Sequence, residues 1–221
     1  MARLIEREKA LALRKQEMSY SQIKEILGVS KSTLSDWLKN YPLSKERIDA
    51  LRGKNEQRIE RYRETRRKTK EKRLAGFYLE EEKKIFPFTE RDFFIAGLFL
   101  YWGEGSKTMS KSVSVSNTDP SVVNFFIDWT TNYLKVPKEK IHVCLHLYND
   151  MDIEKEKKYW SKILSISLNQ FSKPYIKISS SIRINQKGGF GHGTCNARIS
   201  DARLSEKILM AIKVISDKYV N

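Results

Sequence analysis

The feature that most constrains the fold of this chain is a strongly basic segment with almost no apolar side chains. Residues 52–73 hold 11 basic and 4 acidic residues, and only Ile59 and Tyr62 are clearly apolar. A segment of this composition cannot form a hydrophobic core, so it must separate two regions that can. Its Glu, Lys, Arg and Gln residues favour helix. We therefore predict a basic, solvated helix or a loosely ordered linker over residues 44–86.

The positive charge of the whole chain predicts a polyanionic partner. The 221 residues contain 42 Lys+Arg against 27 Asp+Glu, a formal charge of +15. This excess favours nucleic acid or an anionic membrane surface. No apolar run approaches the ~18 residues of a membrane span, and the N-terminus lacks the apolar region of a secretory signal. Two cysteines are too few for a disulfide framework, so we expect a cytoplasmic protein with no membrane partner.

Residues 1–43 are predicted to form a small helical module. Ser19 and Gln22 have the spacing of a capping box, in which each side chain binds the other residue's free amide. Gly28 lies where a helix can end with a positive φ angle, and Ser30 can cap the next helix. Two short helices joined by a tight glycine-containing turn make a helix-turn-helix. An earlier helix completes a three-helix core.

The second helix of this pair has the polar outer side of a recognition helix that lies in a major groove. We predict that the following residues contact DNA: Lys31, Ser32, Thr33, Ser35 and Lys39. The segment resembles the helix-turn-helix of resolvase-type recombinases and of many small regulators, which implies double-stranded DNA as the partner. The alternative is a helical hairpin that only packs.

The basic segment beside this module is expected to contact phosphates. The residues that we assign to this contact are Arg61, Arg66, Arg67 and Lys68. The alternative is a solubilising linker, because charge runs usually form solvated faces.

Residues 87–221 are predicted to form an α+β domain with helices on one face of a mostly antiparallel sheet. Four stretches alternate apolar and polar residues, as half-buried strands do. Their polar faces hold no carboxylate, and hydroxyls, amides, imidazoles and guanidiniums suit contact with bases and phosphates. The residues predicted to touch DNA are Lys140, His142, His146, Lys177, Arg183 and Arg198. The alternative is an ordinary solvated sheet face.

A helix that is apolar on every side opens this domain, after a second capping box at Thr89 and Asp92. We expect it to be buried all round. It ends in Gly103-Glu104-Gly105. These residues resemble the LAGLIDADG family of homing endonucleases, whose motif helix ends in an acid followed by glycine.

The resemblance implies that two such helices pack together and that the acids at their feet bind a divalent metal at the DNA cleavage site. Glu104 is the position that carries over, as catalytic residue and metal ligand, with Mg²⁺ as the implied ion. Because the chain holds one motif, the resemblance implies a homodimer. Its maturase relatives imply structured RNA as a further alternative.

The chain's histidines and cysteines suggest a second type of metal site. The set comprises His142, Cys144, His146, His192 and Cys195. Zinc accepts both kinds of ligand, but His-x-Cys-x-His on a strand is not a standard zinc spacing, so we expect DNA contact or exposure instead. The sequence therefore predicts a sequence-specific double-stranded DNA-binding protein. Two activities fit it: a Mg²⁺-dependent endonuclease, or a transcriptional regulator of the same architecture without cleavage.

Overall fold

The structure is a computed structural model that describes residues 2–51, 53–108, 111–178 and 191–220. The chain divides into two compact units, Met1–Phe86 and Pro87–Asn221, and each has its own hydrophobic core. The predicted module of residues 1–43 and the predicted linker of residues 44–86 both lie in the first unit.

Five helices make up the described part of the first unit. They are α1 (Ala2–Lys15), α2 (Tyr20–Leu27), α3 (Lys31–Trp37), α4 (Lys45–Asp49) and α5 (Lys54–Ile85). The core between α1, α2 and α3 is built from Ala10, Tyr20, Ile23, Leu34 and Leu38. A smaller buried cluster of Leu43, Ile48 and Leu51 joins α4 to the chain on either side of it.

The local signals of the helix-turn-helix are confirmed. The hydroxyl of Ser19 accepts from the amide of Gln22, and the Gln22 side chain accepts from the amide of Ser19, so both bonds of the capping box are present. Gly28 ends α2 with φ +65°, the left-handed conformation that glycine adopts without steric cost. Ser30 caps α3 by accepting from the amide of Thr33.

α5 is one continuous helix of 32 residues, about 48 Å long. The interpretation of this segment as solvated is correct for residues 68–85, all of which are exposed, and wrong for its first half. There Glu60 is buried and paired with Arg14 of α1. The first half of α5 is therefore a structural part of the helix-turn-helix unit.

The second unit is α+β. Its described elements are α6 (Glu90–Glu104), β1 (Val113–Asn117), α7 (Pro120–Asp128), β2 (Ile141–Tyr148), α8 (Ile153–Leu164), β3 (Tyr175–Lys177), β4 (Thr194–Ile199) and α9 (Ala202–Ser216). The strand order is β1-β4-β2-β3. β4 pairs antiparallel with both β1 and β2, whereas β3 pairs parallel with β2. The helices and the apolar sheet face enclose Tyr101, Trp129 and Trp160.

The prediction that α6 is buried all round is wrong. Gly97, Leu98 and Tyr101 are its buried residues, whereas Phe99 is 52% exposed. Gly97 lies against the Trp129 indole, where a Cβ would come within 2.1 Å of Nε1. One side of α6 therefore packs tightly on its own unit, and the described residues leave the side that carries Phe99 uncovered.

Part of the predicted third strand lies outside the described residues, and Arg183 is in that part. Its first residues form β3. In the described part of the chain, no helix is long and apolar enough to cross a membrane.

Candidate nucleic-acid interface

A groove runs between α3 and α5, with a volume of about 1130 Å³. The basic residues that line it are Arg14 of α1 and seven residues from α3, α5 or the position directly after Leu38: Lys31, Lys39, Arg58, Arg63, Arg66, Arg67 and Lys70. Its three acidic lining residues, Glu60, Glu64 and Glu71, each pair with an arginine. We call this feature the α3–α5 groove, and its net charge is strongly positive.

A buried ion pair fixes α5 beside the helix-turn-helix. Glu60 and Arg14 make two contacts, of 2.9 Å and 3.2 Å, and their side chains are only 4% and 3% exposed. The guanidinium also donates to the carbonyl oxygens of Met18 and Tyr41, and the Glu60 carboxylate accepts from the amide of Tyr20. Every oxygen and most N–H groups of the pair are thus satisfied, as a buried pair requires.

Arg63 links α5 directly to the first turn of α3. Its guanidinium lies 4.1 Å from the centre of the Tyr20 ring and donates to the carbonyl oxygen of Lys31 at 3.2 Å. Burial raises the pKa of Tyr20, and the charges of Arg14 and Arg63 oppose that shift. Sequence reasoning missed Arg14, Glu60 and Arg63, because nothing in a charge-rich pattern marks which charges become buried.

The residues predicted to contact DNA on α3 and directly after it are accessible to a ligand, but they differ in exposure and in hydrogen bonding. Ser32 and Lys39 are exposed, and Lys31, Thr33 and Ser35 are half-buried. The Ser30 hydroxyl lies 2.8 Å from the Ser32 hydroxyl and 2.9 Å from that of Thr33. Ser32 and Thr33 therefore belong to the cap of α3, whereas Ser35 and the two lysine side chains have no hydrogen-bond partner among the described residues.

The basic residues predicted on α5 are exposed or half-buried, and most are paired within the unit. Arg61 pairs with Asp49 at 2.5 Å, and Glu64 pairs with both Arg67 and Lys68. The hydrogen bonds that Arg67 donates to Glu64 and Glu71 raise its pKa. Arg66 is exposed and has no ion-pair partner in the described part of the chain. Exposed ion pairs are worth little, so a phosphate can replace these carboxylates.

The polar face of the sheet forms a second candidate surface. The outward residues of its strands that are exposed or half-buried are Ser114, Ser116, His142, Cys144, His146, Tyr175, Lys177, Thr194, Asn196 and Arg198. None of them is a carboxylate. Pairing sets Arg198 of the inner strand β4 between Ser114 and His142. Lys140 is exposed just before β2.

One hydrogen bond and one pKa shift describe the hydrogen-bonding groups on this face. The Asn196 amide donates to the Ser116 hydroxyl at 2.5 Å. Burial, followed by the charge of Lys177, lowers the pKa of His146. The lowered pKa favours the neutral imidazole of His146, which can donate through one ring nitrogen and accept through the other.

Glu104 is exposed at the C-terminal end of α6. Its Oε2 accepts from the Asn117 side-chain amide at 3.1 Å, so the end of β1 orients the carboxylate. Mg²⁺ binds through one or two carboxylates together with waters or phosphates, and Glu104 could supply one carboxylate. Among the described residues, no group of three or more His, Cys, Asp and Glu could hold a metal ion. A site built on Glu104 would therefore need further oxygen ligands, such as an acid from a second subunit.

The five histidines and cysteines are not all brought together, because His142, Cys144 and His146 share the outward face of β2 whereas Cys195 and His192 lie elsewhere. Cys195 is buried on the inner face of β4, and burial, with Cys144 as a lesser cause, raises its pKa to about 12. His192 lies against α8, with Nδ1 2.6 Å from the buried Glu156 carboxylate and its ring stacked on Tyr159. Glu156 is a partner that the sequence pattern did not reveal.

Comparison with known proteins identifies the N-terminal part. A family model described as a homeodomain-like domain matches residues 1–52, which span α1 to α4. The first unit therefore contains a helix-turn-helix domain, and a domain of this class indicates a DNA partner. No curated protein matches the chain, and no solved structure matches it.

Proposed function

We propose that the protein binds double-stranded DNA sequence-specifically, with α3 in the major groove and α5 along the flanking phosphate backbone. The observation that carries this proposal is the α3–α5 groove, whose walls are a recognition helix with a polar side and a basic helix locked to it by Arg63. The short and cationic side chains of α3 suit base edges, and the arginines of α5 suit phosphates.

The polar sheet face supports a second DNA contact from the same chain. It combines Arg198, Lys177 and two histidines, with no acidic group among its described outward residues. Strands that lie in a groove can read bases through such side chains. In this proposal the helix-turn-helix selects the site, and the sheet extends the contact along the duplex.

The binding experiment compares a duplex, single-stranded DNA and structured RNA of equal charge, each at a series of salt concentrations. We expect the duplex to bind tightest, with an affinity that falls steeply as salt rises, because phosphate contacts release counterions. Arg66→Ala should lower affinity for all duplexes and reduce the salt slope by about one. The matched control is Arg203→Ala, at an exposed position on α9. Tightest binding to RNA, or no salt dependence, would refute the proposal.

Cleavage is a second candidate activity, and the uncovered side of α6 favours it. Phe99 stacks on Trp102 with ring centres 5.8 Å apart, and Glu104 is exposed at the C-terminal end of the same helix. A homodimer in which the C-terminal ends of the two α6 helices meet would bring two Glu104 carboxylates near each other. Mg²⁺ bound there would activate water and stabilise charge on a scissile phosphate. Glu104 would serve as its ligand, and Asn117 would orient Glu104.

A plasmid library that carries the gene's flanking DNA tests cleavage, with and without Mg²⁺. We expect defined cuts that require Mg²⁺ and disappear in Glu104→Gln, whereas Glu206→Gln, an exposed acid on α9, keeps them. If wild type, Glu104→Gln and Glu206→Gln all bind the DNA and leave it intact, the nuclease hypothesis is wrong. That outcome would leave the transcriptional regulator as the function.

A further inference from the structure

We propose that the exposed half of α5, residues 68–85, is a surface on which a second copy of this chain pairs in antiparallel orientation. The proposal extends the DNA-binding function, since such a pair presents two copies of α3 to one duplex. It concerns a different surface from the Phe99 side of α6, and it requires no DNA.

An apolar stripe runs along this half of α5. Leu74, Phe77 and Tyr78 follow one another at intervals of three and one residues, which places them on one side of a helix. Glu81 interrupts this side before Ile85. We call Leu74, Phe77 and Tyr78 the α5 stripe. Each keeps between 50% and 68% of its surface exposed. An isolated helix gains nothing from such side chains, whereas a helical partner would remove them from water.

The charges on either side of the stripe select the occupant and its direction. Residues 68–73 carry a net charge of +3, whereas residues 80–84 carry −1 and begin with three consecutive glutamates. An antiparallel copy sets the basic stretch of one helix against the acidic stretch of the other, with Phe77 near the two-fold axis. A parallel copy would set +3 against +3, which is unfavourable. The complementary partner is therefore the same helix, reversed.

The geometry leaves most of the DNA-binding half of α5 free. The contacts that fix α5 to the helix-turn-helix end at Arg63, and within the pairing surface only Lys70, Glu71 and Leu74 also line the α3–α5 groove. Antiparallel pairing about Phe77 places the two α3 helices at opposite ends, related by a two-fold axis. Such a dimer predicts a DNA site that is an inverted repeat. Two helices of this length bury less than about 1,200 Å², the range of weak interfaces, so we expect concentration-dependent self-association.

Sedimentation equilibrium of the full chain without DNA tests the pairing. We expect the dimer dissociation constant to rise at least about tenfold in Phe77→Glu, because a charge replaces an apolar side chain at the centre of the interface. Tyr62→Glu is the matched control, an exposed aromatic on the same helix outside the stripe, and should change nothing. A wild type that stays monomeric, or loss of the dimer in Phe99→Glu but not in Phe77→Glu, would overturn the proposal.

Disulfide cross-linking tests the direction, in a Cys144→Ser background. We expect Phe77→Cys chains to cross-link with one another, and Arg73→Cys to cross-link with Glu81→Cys when the two are mixed. Cross-linking of Glu81→Cys with itself would instead indicate parallel helices and refute the arrangement. A Phe77→Glu protein that is monomeric yet still binds a single half-site separates the two questions, since the DNA-binding function would then hold by itself.

Discussion

At the scale of single residues, the Arg14–Glu60 pair is the contact that makes α5 part of the first unit. Removing one member of a buried pair leaves an uncompensated charge and costs about 3–5 kcal/mol. We therefore expect Glu60→Ala to lower the hydrogen-exchange protection of α2 and α3 by a corresponding amount. Arg61→Ala breaks a pair whose side chains are 59% and 49% exposed, and should change protection by no more than about 0.5 kcal/mol.

A double variant separates the charge from the packing. Arg14→Met with Glu60→Met removes both charges and keeps apolar volume, so it should recover much of the protection that Glu60→Ala loses. Equal protection in wild type and Glu60→Ala would contradict the structural role of the pair.

Gly97 permits the closest packing in the second unit. A Cβ at this position would come within 2.1 Å of the fully buried Trp129 ring, so the ring must move in Gly97→Ala. We expect a loss of about 1–3 kcal/mol, measured by thermal unfolding followed through tryptophan fluorescence. Gly103→Ala is the control on the same helix, because a Cβ there meets nothing within 4 Å and removes a helical glycine. An unchanged melting temperature in Gly97→Ala would show that the close approach of Gly97 to the Trp129 ring is not required.

At the scale of elements, the capping box of α6 makes a pH-dependent contribution. Hydrogen bonds from the side chain and backbone of Thr89 lower the pKa of Asp92 from its usual value. Because the pKa of Asp92 is lower in the folded state than in the unfolded state, the ionised carboxylate stabilises the fold at pH values above the unfolded-state pKa. This stabilisation disappears as the pH falls through the folded-state pKa. Asp92→Ala should therefore melt below wild type at neutral pH, and the difference should close under strongly acidic conditions.

The neighbouring Glu90 provides the comparison for this cap. It lies in the same first turn, and it makes no hydrogen bond in the described part of the chain. Glu90→Ala should reproduce only the smaller effect of a charge near the helix N-terminus. A melting difference between wild type and Asp92→Ala that persists in acid would contradict the pKa assignment.

The elements were predictable where a local signal decides them. The caps at Ser19, Ser30 and Thr89 and the glycine at the end of α2 specify helix ends through neighbours in sequence, and all are confirmed. The alternation of strands also identified the outward face that carries His142 and Arg198, because side-chain direction has a period of two.

What the sequence could not predict depends on long-range packing. Composition predicted that α5 is a solvated segment. Glu60 is nevertheless buried, because it pairs with Arg14, which is 46 residues away in the sequence. The apolar sequence of α6 predicted a fully buried helix. In the structure its own unit covers only one side of α6 and leaves Phe99 exposed. Likewise, the expectation that the histidines and cysteines contact DNA or lie exposed is wrong for Cys195, which is buried, and did not foresee the contact of His192 with the buried Glu156 of α8.

At the scale of the whole molecule, the structure combines a helix-turn-helix domain with an α+β unit whose polar sheet face lacks acids among its described outward residues. A family model matches part of the first unit, and no curated protein or solved structure matches the chain. Positive charge on both units makes DNA affinity expected, so affinity by itself says little about recognition. Sequence preference is the property that distinguishes a regulator or endonuclease from a general polyanion binder.

The most direct test of sequence-specific recognition is repeated selection of bound duplexes from a random library, by wild type and by the Ser32→Ala, Ser35→Ala double variant. We expect wild type to enrich one defined sequence. The variant should keep its non-specific affinity for DNA and lose that preference at the positions facing α3, with each lost contact worth about 1–3 kcal/mol. No enrichment by wild type, or the same sequence enriched equally by both proteins, would show that α3 does not read DNA.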